Sequence, residues 1–177
     1  PTPDAWKSNY YTYMLNGLMT QLVRIKPGCQ IEEAHMRNRA LIAHWCLEQV
    51  AYWAQVFGTI PAMELVKSEG KTRLVIHDYP TLRQFIGQLL AEIQRIKSEG
   101  DTLAAKHLVE KYGVEVDSTL HQEVLQRYEA LDLAPYKGFI NPRYTLVTDT
   151  EGTVTDVSIA YDETFDQQML RYGREYN

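Results

Sequence analysis

The sequence predicts a mostly helical α+β fold of about six helices with two β-hairpins. Apolar residues recur at spacings of three and four along most of the chain, the signature of amphipathic helices. Aspartates stand at Asp78, Asp101 and Asp117, each just before such a stretch, where a carboxylate accepts from free first-turn amides. Two polar clusters, Ser68-Glu69-Gly70-Lys71 and Asp149-Thr150-Glu151-Gly152, lie between short runs of β-forming residues.

The first helix is expected over about residues 3 to 25. Thr2-Pro3-Asp4 opens it, Tyr10, Met14, Leu15, Leu18, Met19, Leu22 and Val23 repeat at helical spacing, and Pro27-Gly28 ends it. Gly17 inside this helix costs up to about 1 kcal/mol relative to alanine, which points to a close neighbour that needs the space. A second helix is expected from near Ile31, with Glu32 and Glu33 at its positive end, to about Phe57, where Gly58 and Pro61 stop it. Met63 to Val66 and Thr72 to Ile76 then read as a hairpin.

Asp78 caps the clearest amphipathic helix, with Leu82, Phe85, Ile86, Leu89, Leu90, Ile93 and Ile96 on one stripe up to Gly100. Two shorter helices follow Asp101 and Asp117, and three consecutive helices with short connections imply a local bundle. From Pro135 the pattern changes. Tyr144 to Thr148 and Val154 to Ile159 alternate around the second turn cluster as a hairpin, and a last helix spans about Thr164 to Arg174. No internal repeat and no linker stands out, so the chain reads as one domain, or a fragment of one, over residues 1–177.

With 177 residues, 45% of them hydrophobic and 23% charged, the composition excludes disordered and low-complexity classes. The net charge of −5, without a basic block, argues against a nucleic-acid or anionic-membrane surface. Cys29 and Cys46 are too few for a disulfide framework, which suits a reducing cytoplasm. No apolar run approaches a membrane span. The chain starts at Pro1, without a methionine, in a segment already amphipathic, so an excised piece of something longer is expected.

The chemistry legible in the residues is sparse. His35, His44, His77, His107 and His121 never pair at i and i+4, so a two-histidine zinc helix is absent and no metal site is expected within this chain. There is no G-x-S-x-G elbow or phosphate-cradling glycine loop, and Cys46 reads as a small core residue. The densest polar constellation runs from Glu32 to Arg39. On a helix His35 and Arg39 share one face and Glu33 and Arg37 another. The first pair can hold a carbonyl and a carboxylate; equally, the run can be a solvated helix start with a Glu33–Arg37 ion pair. Lys137, in a loop bounded by Pro135, Gly138 and Pro142, is either a binding cation or a surface lysine before a strand. The twelve tyrosines allow an aromatic wall or core residues with hydroxyls at the rim.

Longer irregular stretches carry a resemblance. Asn9-Tyr10-Tyr11-Thr12-Tyr13-Met14-Leu15-Asn16-Gly17-Leu18-Met19-Thr20-Gln21-Leu22-Val23-Arg24, Glu33 to Arg39, Leu90 to Ser98, Leu133 to Pro142 and Gln168 to Tyr172 resemble the C-terminal part of the catalytic lobe of bacterial dipeptidyl peptidase III. The resemblance covers essentially the whole chain. It implies a fragment of a larger two-lobed zinc exopeptidase that releases dipeptides from the N-terminus of oligopeptides, with its cleft between the lobes. The family's zinc ligands, on H-E-x-x-G-H and E-E-x-x-A-D helices, would precede Pro1. Zinc is thus implied for the parent and not for this fragment, which would be inactive alone.

Residue by residue, Ala34, His35 and Arg39 match the family's A-H-x-x-x-R pattern. The resemblance implies that His35 steadies the substrate carbonyl, Arg39 lies on the substrate side of the same helix, and Lys137 meets the peptide's carboxyl end. Animal members carry two basic residues where this chain has Tyr136-Lys137, and His44 and His77 depart from the bacterial pattern off any motif. The implied partners are the oligopeptide substrate and the missing remainder of the peptidase, with self-association through an exposed first helix. The rival expectation is a non-enzymatic interaction module that kept the fold.

Overall fold

Six α-helices, one 3-10 helix and two antiparallel hairpins make up the computed structural model, which describes residues 4–132 and 140–176. The mostly helical α+β class expected from the periodicity is therefore the one observed. Its contacts fall into two compact units, Pro1–Asp132 and Leu133–Asn177.

In the first unit, helix α1 spans Ala5–Leu18 and is followed by a 3-10 helix, Thr20–Arg24, where one helix to about residue 25 was expected. The cause is tertiary. Gln21 is buried, and its Nε2 donates to the Gly17 carbonyl and the Met36 carbonyl, both at 3.1 Å. A continued α-helix would give that Gly17 carbonyl to the backbone amide of residue 21, so the side chain displaces the helical bond. His121 then holds the tightened turn, its Nε2 donating to the Leu22 and Ile25 carbonyls at 3.0 and 3.1 Å. At the other end, Thr2 and Pro3 lie outside the described residues. Asp4 makes no side-chain cap and instead ion-pairs with Lys7 at 3.0 Å.

Helix α2, Ala34–Phe57, also starts later than the expected Ile31. Ile31 is buried, its amide donates to Val114 at 3.0 Å, and its carbonyl accepts from Arg37 Nε at 2.6 Å. Those bonds hold residue 31 outside the helix, and Glu33 becomes the cap by accepting from the His35 amide at 3.2 Å.

Strands β1, Met63–Ser68, and β2, Lys71–Ile76, pair from Met63 with Ile76 to Ser68 with Lys71. The strands run through residues expected in the turn, because Glu69 and Gly70 alone make it, with φ of 54° and 73°. Two successive left-handed residues are what a two-residue type I′ turn requires. Helices α3, Tyr79–Glu99, α4, Thr102–Tyr112, and α5, Ser118–Glu129, begin where the aspartates mark them: Asp78, Asp101 and Asp117 accept from the amides of Thr81, Ala104 and Leu120.

The core lies where α1, α2, α3 and the β1–β2 hairpin meet, built on Met14, Leu18, Ile31, Val50, Met63 and Leu82. A smaller cluster of Leu41, Leu89 and Tyr112 joins α2, α3 and α4.

The second unit holds β3, Arg143–Thr148, β4, Val154–Ala160, with a register shift at Val147/Thr148, and α6, Phe165–Glu175. Thr164 and Gln167 form a reciprocal capping box at the start of α6. Among this unit's described residues only Gln168 is buried, and every residue of β3 is exposed. No helix of the described residues is long and apolar enough to cross a membrane.

Candidate functional site

The site is the first turn and a half of α2 together with the part of α1 that crosses it. Gly17 sets the crossing. A Cβ built there would lie 2.7 Å from Ala43 Cβ and overlap the Arg39 carbonyl oxygen, so only a glycine lets the two backbones approach this closely. The space expected around Gly17 from sequence is thus occupied by α2, at Arg39 and Ala43.

On α2, His35 and Arg39 follow one another by one turn on one face. His35 is exposed; its backbone amide is taken by the Glu33 carboxylate, while its imidazole has no hydrogen-bond partner among the described residues. Arg39 is half-buried. Its Nη1 donates to Asn16 Oδ1 at 3.4 Å, and Asn16 Nδ2 donates to Thr20 Oγ1 at 2.9 Å. Tyr13, one turn before Gly17, is near enough to sense Arg39. Its phenol is held above the ordinary 10.0, first by burial, with Arg39 opposing and Cys46 adding.

The alternative reading of this segment as a Glu33–Arg37 ion pair is not what forms. Glu33 caps the helix, and Arg37 turns to the Ile31 carbonyl. Arg37 also borders a cavity of about 730 Å³ shared with Ala105, Lys106 and Val109 of α4. Both cations there are engaged, Arg37 as described and Lys106 with Glu110 at 3.6 Å.

Lys137 and its loop lie outside the described residues. Three of the other four histidines are bonded within the fold: His44 Nδ1 donates to the Tyr112 carbonyl at 3.1 Å, His77 Nε2 to Glu64 at 2.8 Å, and His121 to α1's continuation, whereas His107 on α4 is exposed and, like His35, has no hydrogen-bond partner among the described residues. Cys46 is fully buried, and burial pushes its thiol up to about 12, far from thiolate at neutral pH. Among the described residues no three of His, Cys, Asp and Glu converge as a metal site. The tyrosines divide. Tyr112 is buried with its hydroxyl on Glu48 at 2.7 Å, whereas Tyr10 and Tyr79 pack edge-on with Trp6 at 5.7 and 5.5 Å beside a cavity of about 450 Å³.

The i,i+4 spacing brings His35 and Arg39 to one face and the resemblance makes them candidates, Tyr13 enters only as one of twelve tyrosines that could form an aromatic wall, and Asn16 and Thr20 carry no signal of their own. The signal that could have found them was Gly17, since a helix apposed there necessarily brings its flanking residues to the same neighbour. No family model matches the chain, and no curated protein matches it.

Proposed function

We propose that this chain is the C-terminal part of the catalytic lobe of a zinc-dependent exopeptidase of the dipeptidyl peptidase III type, and that it supplies substrate contacts through His35 and Arg39. The observation that carries the reading is the α2 start: within the Glu33-to-Arg39 stretch that bears the resemblance, the imidazole is exposed and, among the described residues, without a hydrogen-bond partner, and a guanidinium without a carboxylate partner among them stands one turn along the same face. A free imidazole N–H can donate to a carbonyl oxygen that gains charge as the peptide bond is attacked. A guanidinium one turn away can hold a second oxygen of the same peptide and so fix its register.

The second unit supports the fragment part of this reading. A two-stranded hairpin is marginal alone, and here β3 is exposed throughout and β4 is exposed up to Ala160, while Gln168 of α6 is the one buried residue among those described in the unit. Such a unit suits a lobe whose other elements cover it. On this reading the zinc ligands stand in another part of the parent, on the helices that the resemblance implies. Two unpaired cysteines suit a reducing compartment, and we place the parent in the cytoplasm.

The test is made in the full-length parent. His35→Ala is expected to lower kcat about 10²-fold while KM moves little, the pattern of a donor used mainly in the transition state. Unchanged kcat, with zinc content and fold intact, would return His35 to a solvated helix start. Lack of both zinc motifs in the parent would favour the interaction module instead.

A further inference from the structure

Several arginines of this protein are held by carboxylates. Arg95 is clasped by Glu92 at 2.7 Å and Glu99 at 2.5 Å, Arg171 by Glu163 at 2.9 Å, and Arg127 lies 3.4 Å from Glu123. In each the guanidinium charge is balanced by a carboxylate. Arg39 is different. Like Arg37, whose Nε donates to the Ile31 carbonyl, it has no carboxylate partner among the described residues, and its hydrogen-bond partner is the neutral amide oxygen of Asn16.

That oxygen is itself aimed. Asn16 Nδ2 donates to Thr20 Oγ1 one turn on, which fixes the amide so that its oxygen, not its nitrogen, faces Arg39. Gly17, next in the chain, supplies the close approach of α1 to α2 that brings Asn16 within reach. From this arrangement we infer that Asn16 is a positioning residue, which holds the Arg39 guanidinium in place without neutralising it and leaves its charge and remaining N–H donors for an oxygen of the peptide. The inference rests on the substrate role proposed for Arg39 and adds the residue that makes the role possible. A long arginine side chain loses much rotamer freedom on binding, and an anchor that removes part of that freedom beforehand strengthens the contact. An acidic anchor would do the same and spend the charge.

The experiment measures kcat and KM of the full-length parent with Asn16→Ala, Asn16→Asp, Arg39→Ala and the Asn16→Ala/Arg39→Ala pair, with thermal melts to verify the fold. Asn16→Ala is expected to raise KM about threefold with kcat unchanged, the loss of one modest hydrogen bond to a charged group. Asn16→Asp is expected to raise it further, about tenfold, because an ion pair now competes with the peptide. The pair should match Arg39→Ala alone, since Asn16 acts only through Arg39.

Three results overturn the inference: Asn16→Ala without effect on KM while Arg39→Ala raises it, effects of the two that multiply in the pair, or Asn16→Asp lowering KM. If Arg39→Ala itself leaves KM unchanged, the substrate role of Arg39 fails, and the positioning role of Asn16 falls with it.

Discussion

Gly17 carries no side chain, and the crossing of α1 with α2 depends on that. A methyl group there meets the Arg39 carbonyl and Ala43 Cβ, of which the first is backbone and has no rotamer through which to yield. Alanine gains up to about 1 kcal/mol in helix propensity over glycine, while overpacking of this kind costs about 1–3 kcal/mol, so the clash wins. Gly17→Ala is therefore expected to lower the melting temperature by several degrees and to disturb Asn16 and Arg39 together. A Gly17→Ala variant that melts above the parent chain would show that the helices separate freely. At this scale the sequence was partly readable. The energetic cost of Gly17 signalled a neighbour, and Cys46 at helical spacing from Ile42 and Val50 signalled core, but an asparagine within a helix announces nothing until its partner on another helix is placed.

Elements whose ends are fixed locally were legible, and those fixed by distant residues were not. Asp78, Asp101, Asp117 and Thr164 cap within three residues of themselves, so their helices begin where the sequence says. The break after α1 and the late start of α2 depend instead on Gln21, His121 and the Ile31–Val114 bond, which span up to about a hundred residues of chain. The attachment of α5 to the β1–β2 hairpin is of the same kind. Glu123 accepts from the Thr72 amide at 2.6 Å and its hydroxyl at 2.7 Å, with Arg127 and Lys67 nearby, and the Thr72 amide bond is the foremost cause that holds its carboxyl below the ordinary 4.5. A carboxylate stabilised in the folded state contributes fully above the unfolded value and loses that contribution as pH falls through the lowered folded one. Glu123→Gln should thus cost about 1 kcal/mol near neutral pH, and the gap between the two melting curves should close as the pH falls below the ordinary carboxyl value of 4.5 and through the lowered folded one. A gap that stays constant from pH 7 to pH 3 would mean that the charge contributes nothing to holding α5.

Across the whole molecule, apolar side chains remain at the surface in both units. In the first, α1 shows Trp6, Tyr11 and Tyr13, and the end of α2 shows Tyr52, Trp53, Val56 and Phe57, followed by Ile60, which is 72% exposed. In the second, Tyr144, Leu146, Val154, Val157 and Ile159 of the hairpin are exposed. Grouped exposure of this kind on one helix end exceeds the scattered residues normal for a monomer and is relieved by association. The 177-residue chain is expected to self-associate, with an average mass by light scattering that rises with concentration. Where the association occurs is decided by two variants: Trp6→Ser/Tyr11→Ser tests α1, and Val56→Ser/Phe57→Ser tests the end of α2. Because the α2 end gathers more apolar area on adjacent turns, the second pair should shift the chain toward monomer more than the first. A concentration-independent monomer mass would mean that these surfaces are tolerated in water, and a larger effect of the first pair would move the contact to α1.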